Sequence, residues 1–197
     1  MIGTRMRRAL LASCTALVLI PVPAFPQDFS VYVTPLVSFD SFHALDLGTG
    51  MTLGAAVAVD VAGPVRVSCA ALFGTRTAAY DLIGRTGHVD VRTSTYAGSV
   101  SFRMLGSREG GELAAALGGG AVVSSVDPLT VPAGGLGVLT IPARSETRGY
   151  VSLGLSGALA LSSRVAITCD PSLRFLTPLS SAPVDYAITG GIRVALF

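Results

Sequence analysis

The sequence predicts an all-β chain, an eight-stranded antiparallel up-and-down transmembrane β-barrel. Three observations carry that expectation. After the first 24 residues, apolar and small or polar side chains alternate with period two through eight segments. The links between those segments alternate between tight and long. The chain is also apolar and charge-poor, yet after Ala24 no apolar run is long enough for a spanning helix.

The amino terminus comes first. Arg5, Arg7 and Arg8 form a basic head, Ala9 to Val22 is apolar, and Val22-Pro23-Ala24 sets modest or small side chains before a cut. This is the order of a secretory signal peptide. The apolar run is shorter than the roughly 20 residues a permanent spanning helix needs. Leu11-Ala12-Ser13-Cys14 is similar to a lipoprotein cleavage box, but almost no apolar stretch precedes it. The expected division is a signal peptide over 1–24 and one barrel domain over 25–197.

Composition narrows the class of the remaining chain. Three of the 14 basic residues leave with the signal, so 11 Arg face 12 acids, for a net charge of −1. Charged residues make up 13% of the sequence, about half of what a soluble domain carries. No basic footprint for nucleic acid exists. An apolar chain without apolar helices fits strands that turn one face to lipid; a soluble Ala/Gly-rich β-protein is the alternative that composition alone leaves open.

The eight segments are expected near 29–39, 49–61, 65–76, 88–104, 112–126, 147–161, 165–176 and 185–196. The first sets Val31, Val33, Pro35, Val37 and Phe39 on one face against Ser30, Tyr32, Thr34 and Ser38. The second sets Met51, Leu53, Val57, Val59 and Val61 against Thr52, Gly54, Ala56, Ala58 and Asp60. Val67, Cys69 and Phe73 oppose Arg66 and Ser68 in the third, and Val100, Phe102 and Met104 oppose Ser99, Ser101 and Arg103 in the fourth. The fifth is weaker, with Leu113 and Leu117 opposite Glu112 and Ala114; its Gly118-Gly119-Gly120 argues against a helix. Val151, Leu153, Leu155 and Leu159 define the sixth, Val165, Ile167, Cys169 and Leu173 the seventh, and Tyr186, Ile188, Ile192 and Val194 the last. Successive side chains of a strand point to opposite faces, so each segment has one apolar and one polar face.

Three links are tight: Ala62-Gly63-Pro64, Gly106 to Gly111, and Ser162-Ser163-Arg164. Four are longer: Asp40 to Gly48, Asp81 to Gly87, Asp127 to Glu146, and Thr177 to Pro183. Short turns at one end and long loops at the other are the scheme of an outer-membrane barrel. Phe39, Phe73, Tyr96, Tyr150, Phe175 and Tyr186 are expected to form an upper aromatic girdle, with Phe29 and Phe102 at the lower boundary.

On these features the chain resembles the small eight-stranded outer-membrane barrels of the OmpA membrane-domain, OmpX and OmpW type. Its ending, Gly190-Gly191-Ile192-Arg193-Val194-Ala195-Leu196-Phe197, resembles the strand signal read by the barrel-assembly machinery, whose last residue is typically Phe. Strict alternation puts Phe197 opposite Val194 and Leu196, so a bulge or frayed end is expected there. The resemblance implies an exported protein of the outer membrane, with periplasmic termini, extracellular loops and outer-membrane lipid as a partner. It implies no cofactor.

The inward parity collects Asp60, Arg66, Arg103, Glu112, Asp170, Arg174 and Arg193, four bases against three acids. Burial of unpaired charge is costly, so internal ion pairs are expected, toward the tight-turn half for Asp60, Arg66, Arg103, Glu112 and Arg193. A structural plug is favoured over an ion path because eight strands enclose little lumen. Arg76, Arg85, Arg92, Arg144 and Arg148 are expected around the long-loop rim.

Catalytic signals are thin. His43 and His88 begin no His-x-Ser pattern of the kind rim lipases of this architecture use, so no catalytic residue is assigned. Cys69 and Cys169 fall on strands near opposite sides of an eight-strand ring, too far apart for a bridge, and are expected as lipid-facing thiols. No metal-ligand spacing occurs. Leu129-Thr130-Val131-Pro132-Ala133 recurs as Leu139-Thr140-Ile141-Pro142-Ala143. It is expected as a hairpin prolonging the fifth and sixth strands; the alternative is an apolar flap for a hydrophobic ligand or host surface. The function expected is a structural or surface-interaction barrel without catalysis. The runner-up is a channel or carrier for small hydrophobic molecules, as the OmpW resemblance implies, and a rim lipid hydrolase comes third.

Overall fold

The period-two segments all become strands in the computed structural model, which describes residues 30–42, 47–82, 85–107, 109–132, 138–177 and 184–196. The expected signal cleavage, Phe29, His43 and the expected irregularity at Phe197 lie outside the described residues. The strands are β1 Ser30–Ser41, β2 Thr49–Ala62, β3 Val65–Leu82, β4 Arg85–Gly106 and β5 Gly111–Val126, then the short β6 Leu129–Pro132 and β7 Val138–Ile141. They are followed by β8 Arg144–Ala160, β9 Val165–Leu176 and β10 Asp185–Ala195. Eight of them close a barrel in the ring β1-β10-β9-β8-β5-β4-β3-β2, every neighbouring pair antiparallel.

Register fixes the barrel's dimensions. Following cross-strand partners around the ring gives Ser30, Asp60, Arg66, Ser101, Ala116, Gly154, Ser172, Ala187 and then Asp40. The walk returns to β1 ten residues above its start (40 − 30), which is the shear of the barrel. With standard rise and strand spacing, that shear tilts eight strands by about 40° and gives a backbone radius of about 8 Å. A ring of that size is filled by its own inward side chains.

The outer face is apolar and exposed. Leu53, Phe73, Val100, Leu117, Leu153, Ile167, Leu173, Ile188 and Ile192 are each about half exposed, spread over all the ring strands except β1, where Phe39 takes the place. A contiguous apolar belt of this extent exceeds what a soluble monomer shows. Cys69 and Cys169 are free thiols; Cys69 faces outward from β3 beside Val57 and Gly98, and Cys169 is exposed on β9.

The tight turns lie at one end. Gly63 (φ 51°) and Gly106 (φ 86°) take the left-handed conformation that their turns require. The β4–β5 ladder shifts register between Arg103 and Leu105, and both Met104 and Leu105 are exposed there.

At the other end the structure corrects four expectations. The β3–β4 link is a continued ladder rather than a loop over 81–87, pairing Tyr80 with Gly87 and Leu82 with Arg85. Asp40 and Arg76, expected in a loop and on the rim, are buried inside the barrel. Arg76 lies ten residues beyond the inward Arg66 on the same strand, so unbroken alternation carries it inward. Tyr150, expected in the outer girdle, is 4% exposed and points inward, because its neighbour Val151 takes the outward face. The other described members of that girdle, Phe39, Phe73, Tyr96, Phe175 and Tyr186, alternate with inward neighbours, and Phe73 meets Tyr96 edge to face at 6.1 Å.

Among the rim arginines, Arg92 pairs with Asp127 at 2.7 Å and Arg148 with Glu146 at 2.6 Å. The repeat forms the β6–β7 hairpin, Thr130 facing Thr140. It continues the β5–β8 register: Val126 faces Arg144, and Leu129 faces Ile141. Between those rungs the ladder is interrupted, at segments that contain Pro128 and Pro142, two residues without N–H.

Candidate functional site

The candidate site is the barrel interior, built as two charged decks separated by small residues. Most inward deck residues follow by alternation from an outward apolar neighbour, as Arg66 does from Val65 and Val67; Arg76, between Thr75 and Thr77, follows from its parity with Arg66.

The lower deck, near the tight turns, gathers five of the seven residues singled out from the sequence: Asp60, Arg66, Arg103, Glu112 and Arg193. Arg66 donates from Nε to Asp60 Oδ1 at 2.7 Å and from Nη1 to Glu112 Oε1 at 2.5 Å. Its Nη2 reaches Glu112 Oε2 at 3.3 Å and Asp60 Oδ2 at 3.4 Å. Arg193 donates from Nη1 to Glu112. Arg103 Nε lies 3.3 Å from Glu112 Oε2, as an ion pair whose N–H is not aimed at that oxygen. Tyr32 completes the deck by donating to Asp60 Oδ2 at 2.9 Å, with Arg66 4.8 Å and Arg193 5.5 Å above its ring. One Glu and one Asp thus tie together β2, β3, β4, β5 and β10. Removing one partner from such a buried cluster typically costs about 3–5 kcal/mol.

The upper deck contains Arg174, the sixth predicted residue, with partners the sequence reading did not assign to it. Asp40 accepts from Arg76 Nη2, and Arg174 Nη1 lies 3.4 Å from its other oxygen. Arg76 Nη1 also donates to the carbonyls of Asp40 and Gly48, each at 3.1 Å. Asp185 is fully buried and is the cross-strand partner of Arg174. Phe42 folds from the end of β1 over these charges, with Arg76 4.6 Å and Arg174 5.6 Å from its ring. It packs with Val122, Tyr150 and Leu176. Backbone bonds with Leu47 and Gly48 hold Phe42 in place. This apolar and cation–π layer caps the lumen at the long-loop end.

Asp170, the seventh predicted residue, lies between the decks on β9 and has no ion pair among the described residues; one carboxylate oxygen makes no hydrogen bond. Around this middle level Ser68 and Ser99 share a hydrogen bond at 2.7 Å, and Thr189 donates to Ser38 at 2.9 Å. Taking both decks and Asp170 together, five arginines (66, 76, 103, 174, 193) face five acids (40, 60, 112, 170, 185), so the interior is neutral. The signal for the second deck is present in the sequence: Asp40, Arg76, Tyr150 and Asp185 all share the parity of the inward residues on the same strands.

His88 is exposed on β4, opposite Ala79. No cluster of His, Cys, Asp and Glu fit to hold a metal occurs among the described residues.

No protein-family model and no curated protein sequence matches the chain. Solved structures do. A major outer membrane protein from Thermus thermophilus superposes with a TM-score of 0.60 at 17% identity, covering 84% of this chain and 99% of that one. The outer membrane protein OprG from Pseudomonas aeruginosa gives 0.54 at 7% identity, over 85% and 95% of the two chains. Neisserial surface protein A gives 0.52 at 12% identity, over 84% and 96%. The chain has the fold of the small outer-membrane β-barrels.

Proposed function

We propose that the protein is an outer-membrane barrel with a structural or surface-interaction role, closed to ions and without catalysis. The observation that carries this reading is the pairing of an apolar outer belt with an interior occupied at both ends. The Glu112–Arg66–Arg193 deck fills one end, and Phe42 with the Asp40–Arg76–Arg174 deck fills the other. A backbone radius of about 8 Å leaves little lumen once such side chains are inside. In this reading outer-membrane lipid surrounds the belt. The tight turns and chain ends face the periplasm, and the β3–β4 ladder and the β6–β7 hairpin stand on the outside. The carboxyl-terminal strand addresses the chain to the assembly machinery. The non-catalytic part is supported by the exposed position of His88 opposite Ala79, with no hydroxyl nucleophile paired to it among the described residues.

Planar-bilayer recording on detergent-refolded, heat-modifiable protein tests the closed state. Baseline current is the expected result. Steady single-channel conductance, or saturable uptake of an apolar solute into loaded vesicles, would instead favour the channel or carrier.

A further inference from the structure

At the tight-turn end the lumen opens into a cavity of about 370 Å³. Tyr32, Arg66, Glu112 and Arg193 form its floor, and Glu109 and Arg164 stand at its entrance. Two guanidinium groups, Arg66 and Arg193, and one carboxylate, Glu112, are the charged groups of that floor. Arg103, Asp60 and Asp170 lie behind it, in electrostatic contact with the same deck. Arg66 is committed through Nε and both Nη atoms. Arg193 donates to the protein only from Nη1, to Glu112, among the described residues. Its Nε and Nη2 are not among the buried polar atoms left without a partner, so that edge of the guanidinium is reachable from the cavity it lines.

We propose that this vestibule binds a small oxyanion, a carboxylate or phosphate group, on the Nε–Nη2 edge of Arg193. Tyr32 holds that guanidinium in place by stacking, and Glu112 fixes its other end. A planar fork presented edge-on matches two oxygens of one anion. Arg164 at the entrance adds attraction, while Glu109 opposes highly charged guests and favours singly charged ones. Because the cavity lies on the inward faces of the strands, the expected source is a solute from the aqueous side rather than a lipid headgroup. The inference goes beyond the closed-barrel reading, and a conducting barrel would leave it standing.

The test uses the folded chain in uncharged maltoside micelles at constant ionic strength. Sodium phosphate, sodium acetate and short-chain phosphatidylglycerol are titrated in turn, followed by calorimetry and by the NMR resonances of the arginine Nε–H groups. Saturable binding of phosphate or acetate, with the largest shift at Arg193, is the expected result. Binding of phosphatidylglycerol alone, with the shift still at Arg193, keeps the oxyanion site and assigns it to lipid. Arg193→Lys keeps the charge but loses the fork, and should weaken binding about tenfold. Arg164→Gln, on the exposed rim, should weaken it about two- to threefold and covers the case in which the Arg193 variant fails to fold. Arg92→Gln, at the far end, should bind like the parent. The proposal is overturned if none of the three ligands saturates, if the shift centres on another arginine, or if folded Arg193→Lys binds undiminished.

Discussion

Arg66 on β3 and Glu112 on β5 join two strands that are not neighbours, across the lumen, with Nη1 2.5 Å from Oε1. Glu112 also receives Arg193 from β10, so one carboxylate links the middle of the chain to its last strand. Glu112→Gln would take from the buried Arg66 and Arg193 and the partly buried Arg103 the carboxylate that they share. It should lower unfolding stability in urea by about 3–5 kcal/mol, measured by heat-modifiable gel mobility in lipid vesicles. A loss under about 1 kcal/mol would show that Asp60 alone suffices for the deck.

Phe42 lies just beyond the last residue of β1, so its side chain can be removed without touching the barrel ladder. Phe42→Ala should cost about 3–5 kcal/mol through the cavity left beside Val122, Tyr150 and Leu176. The variant should still close and show native mobility before boiling. Unchanged stability would mean that the cap does not pack the lumen.

The belt makes a claim about lipid. Leu155 is 46% exposed on β8, while Ser156 beside it is turned inward. Leu155→Arg should cost about 2–4 kcal/mol near the midplane of a bilayer, and Ser156→Ala far less. In water the order of tolerance would reverse, because an outward Arg would be solvated. Parallel refolding of both variants in liposomes separates the two cases.

Two glycines on the barrel wall should respond oppositely to the same methyl group. A side chain at Gly54 would run into the carbonyl of Ala71 on the neighbouring strand, whereas one at Gly98 meets nothing nearer than the Ser68 carbonyl at 4.0 Å. Gly54→Ala should destabilise by about 1–3 kcal/mol through forced strand displacement. Gly98→Ala should be neutral within about 0.5 kcal/mol. Urea midpoints of the two variants, at equal slope, report the difference.

Alternation along each segment determined by itself that the chain has eight barrel strands, which side chains face outward, and that Asp60, Arg66, Arg103, Glu112, Asp170, Arg174 and Arg193 face the lumen. That information is local: successive side chains leave a strand on opposite sides whatever the strand pairs with. The same rule, carried to the strand ends, turns Tyr150 and Arg76 inward. Expecting Tyr150 among the outward aromatics assigns it the parity of its neighbour Val151, and expecting Arg76 on the rim gives nearness to a loop more weight than parity; alternation holds because the ladder continues unbroken past both. What no single segment contains is the shear of ten residues, which accumulates only around the closed ring. That offset decides which inward charges share a level. It brings Asp40 of β1 to Arg174 of β9 across 134 residues, and Glu112 of β5 to Arg193 of β10 across 81. The folding of Phe42 onto the upper deck is likewise decided only in three dimensions, because it needs Arg76, Arg174, Val122, Tyr150 and Leu176 from four other strands already in place.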